Sequence, residues 1–126
     1  MKQPFLVFIL LLMGFILKAQ TITYKSNTWG NTKLYKDWAK ALDNPILEKV
    51  AITQTDKIFK INFGDKRSII YTIVSFQKLS STSVNYNVNS NNQKYSIKVS
   101  FIGNAYYIFC ENEWVVAEIT DMSSSN

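Results

Sequence analysis

From Lys94 to Phe101 the chain alternates strictly: Tyr95, Ile97, Val99 and Phe101 interleave with Lys94, Ser96, Lys98 and Ser100. A period of two puts one set on a core face and the other on a solvent face of a β-strand. Gly103-Asn104 follows and suits a two-residue hairpin turn, where positive φ is needed. That turn predicts Phe101 opposite Tyr106, Val99 opposite Ile108 and Ile97 opposite Cys110. A second two-residue turn at Asn112-Glu113 is expected to set Cys110 opposite Val115, Ile108 opposite Ala117 and Tyr106 opposite Ile119. A one-residue slip between the first two strands would bury Lys98 and Ser100, so their register is well specified.

Upstream, Val84, Tyr86 and Val88 alternate with Ser83, Asn85 and Asn87. The loop Ser90–Gln93 pairs Val88 with Tyr95, Tyr86 with Ile97 and Val84 with Val99, extending the meander in phase. Gln77 to Thr82 reads as a polar connection. The strand Arg67–Phe76 is apolar on both faces, which suggests a central strand covered on both sides. A three-residue loop at Gly64-Asp65-Lys66 aligns Ile61 with Ile69 and Phe59 with Tyr71. A two-residue turn at Thr55-Asp56 sets Ile52 opposite Phe59 and Val50 opposite Ile61. Gln20–Lys25 forms a short first strand with Ile22 and Tyr24 on one side. Ser26–Thr32, polar around Trp29-Gly30, is expected to be a loop. Lys33–Leu42 is the one candidate helix: Leu34, Trp38 and Leu42 recur every four residues, with Trp38 expected as a core anchor. Asn31 or Thr32 can cap its start, and Asp43-Asn44-Pro45 stops it.

These elements predict a mainly β fold, an antiparallel meander of seven or eight strands with one short helix near the N-terminus. Such a sheet curls into a barrel or half-barrel around aromatic and β-branched residues.

The first 19 residues change where the chain is expected to act. Lys2 is followed by an apolar run of 13 residues, Phe5–Leu17, and then by Lys18-Ala19-Gln20. A membrane-spanning helix needs about 20 apolar residues. The segment resembles a bacterial secretory signal peptide cleaved after Ala19, although Leu17 is larger than the usual residue at its place. The expected layout is a signal peptide over 1–19, one β-rich domain over 20–121 and a disordered tail over 122–126, in a secreted or periplasmic protein with no stable membrane span after cleavage. Of the 14 basic residues, 12 then remain against 9 acids, a net charge of +3. This mild balance, with Arg67 as the only arginine, argues against nucleic-acid binding.

Cys110 is the only cysteine and points inward in the expected register, so it reads as a buried hydrophobe without a disulfide. The chain has no histidine, which excludes Ser-His-Asp and Cys-His systems and histidine-containing zinc sites. The nine acids do not have calcium-loop spacing. Glu111, Glu113 and Glu118 are the nearest carboxylate cluster, and edge-strand protection explains them as well as glycoside chemistry does. The expectation is a protein that is not an enzyme and needs no cofactor or metal.

One feature is unusual. The expected register lines up Tyr107, Phe109, Trp114 and Val116 on the outer side of the last two strands, bordered by Lys98, Glu111 and Glu118. Outer faces of meanders are normally polar. Either the helix or the first strand covers this group, or it is an interaction surface. In general pattern residues 20–121 resemble small secreted lipocalin-like domains. Trp29 precedes Gly30, so the lipocalin Gly-x-Trp motif is not matched and no binding residue is carried over. The resemblance implies an exported binding module for an apolar or amphiphilic small molecule held inside the sheet. The alternative is an exported protein-interaction module, an inhibitor or envelope assembly factor, using the outer aromatic group.

Overall fold

A computed structural model describes residues 21–64 and 67–125. The signal-peptide expectation falls on residues outside that range. Nine strands follow in chain order: β1 (Thr21–Ser26), β2 (Val50–Gln54), β3 (Ile58–Phe63), β4 (Arg67–Ser80), β5 (Ser83–Ser90), β6 (Gln93–Ile102), β7 (Ala105–Cys110), β8 (Trp114–Val116) and β9 (Ile119–Ser125). Two short helices, α1 (Thr32–Tyr35) and α2 (Trp38–Asp43), lie between β1 and β2. All neighbours pair antiparallel, in the order β8-β7-β6-β5-β4-β3-β2-β1-β9, and the sheet nearly closes into a barrel.

The alternating hairpins pair as their patterns require. Phe101 faces Tyr106, Val99 faces Ile108 and Ile97 faces Cys110. Asn91-Asn92 and Gly103-Asn104 both have positive φ, as tight hairpin turns demand. Val88, Tyr86 and Val84 meet Tyr95, Ile97 and Val99. Ile61 meets Ile69 and Phe59 meets Tyr71.

Six places differ from expectation. Residues 77–80, expected within a polar connection, are the end of β4 and pair with β5 through Gln77↔Asn85 and Lys78↔Val84. The turn after β7 holds three residues, Glu111 to Glu113, with Asn112 at φ 62°. Cys110 therefore faces Trp114 and Ile108 faces Val116, one residue away from the expected register. Between β2 and β3 the register shifts by two: Ile52 faces Ile61 and Gln54 faces Phe59. A shift of two keeps every side chain on its face, and it carries Gln54 into the core. The expected helix is broken at Lys36, which adopts the left-handed region at φ 59°. Asp37 caps a second start by accepting a hydrogen bond from Ala39 N at 2.9 Å, a role Asp fills better than a helix-interior one. Trp38 is consequently 49% exposed, not a core anchor. The outer side of β4 is open, with Ile70 and Val74 exposed. Its pairing with β5 shifts at Val74 and at Leu79, so Phe76 falls on the inner row opposite Tyr86. Part of the two-faced apolar pattern is thus a change of phase at a bulge. Finally, Met122–Ser125 is not a disordered tail: it belongs to β9, which pairs with β1 from Thr21↔Ser125 inwards.

The closure is made by one bent strand. β8 pairs with β7, the chain kinks at Ala117-Glu118, and β9 continues along β1 on the other side. Gly30 bridges the second edge of β8 through Gly30 N to Val115 O at 2.8 Å and Val115 N to Gly30 O at 2.9 Å. A cleft of about 200 Å³ lies between Ala105-Tyr106 of β7 and Ile119–Met122 of β9.

Candidate functional site

The barrel interior is occupied by side chains that reach across it. Trp114 Nε1 on β8 donates to Tyr71 Oη on β4 at 3.0 Å. Tyr24 Oη on β1 donates to Gln54 Oε1 at 3.3 Å, and Gln54 Nε2 donates to Tyr86 Oη on β5 at 3.0 Å. Ring centroids of Phe59 and Tyr86 lie 5.0 Å apart, and those of Tyr24 and Tyr106 lie 5.8 Å apart. Burial raises the pKa of Tyr24, Tyr71 and Tyr86, the last to about 12. It likewise pushes the buried Cys110 thiol up to about 12, so this thiol is a poor nucleophile.

The four residues expected on the outer aromatic surface separate into two pairs. Tyr107 and Phe109 do face outward, each half-buried. Trp114 and Val116 point inward and belong to the core, at 2% and 1% exposure. The three-residue turn is the cause, because one added turn residue flips every later side chain to the other face. Val115 takes the outer position beside Phe109. It is buried there because α2 lies over it.

Gly30 makes that cover possible. A Cβ on Gly30 would stand 2.9 Å from Ala41 Cβ and 2.9 Å from Val115 Cγ1, so only glycine lets α2 approach this closely. The docked helix carries Trp38 at its first position, and the Trp38 ring meets Tyr107 edge-on at 5.9 Å. Periodicity treated Trp38 as core and so missed it as a wall of the outer surface.

Trp38, Ile102, Tyr107, Phe109 and Val115 line a cleft of about 370 Å³. Its other wall is polar: Ser80, Thr82, Ser83, Lys98 and Ser100. Ser83 Oγ and Ser100 Oγ lie 2.9 Å apart and share a hydrogen bond. Lys98 stands opposite Phe109 and forms no ion pair among the described residues. On the far side of Trp38 and Phe109 lies a second cleft of about 300 Å³, lined by Thr32, Lys36, Asp37, Glu111 and Asn112. The two rings form the partition between an apolar cleft and a polar one. Aromatic faces, hydroxyls and one ammonium together suit an apolar body bearing an anionic or polar end.

The chain's only arginine is engaged elsewhere. Arg67 Nη2 lies 2.6 Å from Glu48 Oε1, and its guanidinium sits over the Phe63 ring at 4.9 Å. No group of three or more His, Cys, Asp or Glu side chains capable of holding a metal occurs among the described residues. No family model, no curated protein and no solved structure matches the chain.

Proposed function

We propose that this chain is an exported binding module for a small amphiphilic ligand, and that the ligand sits in the outer cleft beside α2, not on the barrel axis. The carrying observation is the cleft itself, where Trp38, Tyr107 and Phe109 face Lys98 and a row of hydroxyls. The cross-barrel hydrogen bonds support the move from the interior to the outside. The charged start, apolar run and Lys18-Ala19-Gln20 junction support export. In this proposal Phe109 and Tyr107 stack on the apolar body and Lys98 meets the anionic end.

An aromatic sulfonate dye and a medium-chain fatty acid are suitable probes, with binding followed by fluorescence and calorimetry. Phe109→Ala and Lys98→Gln should each weaken binding about tenfold, a loss of one stacking or charge contact of about 1.4 kcal/mol. Affinity unchanged in both variants would reject the cleft as the site. Mass spectrometry of the protein recovered from its own cell envelope should find Gln20 at the N-terminus. Retention of Met1–Leu17 would reject cleavage and export by this route. The exposed apolar side chains Ile70 and Val74 on β4 favour a second function, contact with a partner protein. Ile70→Ser with Val74→Ser should then abolish association while leaving dye binding intact.

A further inference from the structure

Lys33 to Lys40 are eight consecutive exposed residues, covering α1 after its buried first residue Thr32 and the start of α2. Three of them are large and apolar: Leu34 is 68% exposed, Tyr35 37% and Trp38 49%. Three are lysines, Lys33, Lys36 and Lys40. Asp37 is the one carboxylate in the run, and it is engaged as the cap of α2. Asp43 and Glu111 flank the run, so the protruding surface itself carries an excess of positive charge.

We propose that this α1–α2 prominence docks on an anionic lipid surface. Exposed leucine, tyrosine and tryptophan cannot be explained as core: α2 is anchored on the barrel by the buried Ala41, and Trp38 touches Tyr107 at one edge while half of its surface stays open. Tryptophan and tyrosine with interleaved lysines match the headgroup layer, where amphipathic rings sit at the boundary and ammonium groups meet lipid phosphates. A protein partner fits less well, because lysine is depleted from the cores of protein interfaces. The docking is peripheral: no helix among the described residues is long and apolar enough to cross a membrane. Lys36 in its left-handed conformation separates the two helices by two residues, so both short segments stay close together in the chain. The proposal stands independently of the ligand cleft, although Trp38 lies at the border of both.

The test is vesicle co-sedimentation of the full chain, comparing phosphatidylcholine alone with phosphatidylcholine containing phosphatidylglycerol. Wild type should bind the anionic vesicles and release them at high salt. The triple variant Lys33→Gln, Lys36→Gln, Lys40→Gln should bind roughly a hundredfold more weakly, at about fivefold per lysine near an anionic surface. Leu34→Asn should weaken binding about tenfold, as one apolar side chain leaves the interface. All these side chains are exposed, so the urea midpoint of each variant should match wild type. Hydrophobic insertion of the apolar run Phe5–Leu17 would not be released by salt, so the salt-released fraction is the one compared between variants. Lipids carrying a bromine quencher give a second readout, since Trp29 and Trp114 are buried and Trp38 is not. Quenching should occur in wild type and vanish in Trp38→Phe. Equal binding of the triple variant and wild type to anionic vesicles would overturn the proposal. So would absence of vesicle binding by wild type together with self-association that Leu34→Asn abolishes, which would give the surface to a second copy of the chain.

Discussion

Replacing Trp114 by alanine is the sharpest probe of how the barrel is closed. Trp114 is 2% exposed, and its indole donates to Tyr71 Oη on β4, across the barrel from β8. The ring centroids of the two residues lie 6.3 Å apart. Truncating a buried tryptophan to alanine costs about 3–5 kcal/mol. That range covers the transfer of the ring and the cavity left behind. A domain of this kind has a total stability of about 5–15 kcal/mol, so Trp114→Ala should leave a marginal fold. With a urea slope of about 2 kcal/mol/M, the midpoint should fall by about 2 M. If that variant does not fold, Trp114→Phe remains measurable, because it retains most of the ring and removes the indole N–H. A double-mutant cycle of Trp114→Phe with Tyr71→Phe should give a coupling of about 0.5–1.5 kcal/mol, the ordinary net worth of one hydrogen bond. In the alternative register, with a two-residue turn, Trp114 is a surface residue and its loss costs about 0.5 kcal/mol or less. A Trp114→Ala midpoint within that margin of wild type, with no coupling to Tyr71, would refute the three-residue turn and the inward strand β8.

Cys110 is fully buried, so a thiol reagent should react slowly with the native protein and quickly in denaturant; fast native labelling would show that the β6–β7–β8 face is open. Stability should fall in alkali. Cys110 and Tyr86 are raised to about 12 by burial, and Tyr24 and Tyr71 are raised too, so the folded state holds protons that the unfolded chain has released. The stability is full below the unfolded values near pH 9–10 and declines as pH climbs towards 12, by up to about 1.4 kcal/mol per pH unit per group; a urea midpoint that is flat from pH 8 to 11.5 would contradict this. Deleting Met122–Asn126 removes the pairs from Tyr24↔Met122 to Thr21↔Ser125, so the midpoint should drop and amide protection at Thr21 and Thr23, the residues opposite Ser125 and Ser123, should be lost; unchanged protection would mean that β9 contributes nothing to closure.

The legible parts of the fold are those where two independent signals agree. In β5, β6 and β7 the alternation of side chains and the chemistry of the turns both point to one register, and that register is found. The failure at β8 has a plain cause. Trp114-Val115-Val116 is apolar at every position, so a slip by one residue still places apolar groups on both faces. Asn112 at positive φ fits a two-residue or a three-residue turn equally well in the sequence. Gln54 marks the slip between β2 and β3, but a lone buried glutamine gains its meaning only from Tyr24 and Tyr86, which are distant in sequence. Strand β9 ends in serines and carries little apolar signal; what orders it is the backbone edge of β1. Half of the expected outer surface, Tyr107 and Phe109, stands where the pattern put it. The rest of the cleft depends on the break at Lys36, which turns Trp38 outward and sets it over Tyr107.

The pairing of Thr21 with Ser125 joins the first described strand to the last. β1 can pair with β2 early in folding, but its other edge stays bare until β9 joins it. Gly30 must likewise wait for Val115 before the second closing bridge can form. Every strand between these points can add to its predecessor as a local hairpin, whereas closure requires contacts spanning nearly the whole chain, the class of contact that slows folding most. Until those two contacts form, the chain is therefore an open sheet with an incomplete core, and it becomes a barrel only when its most distant segments meet.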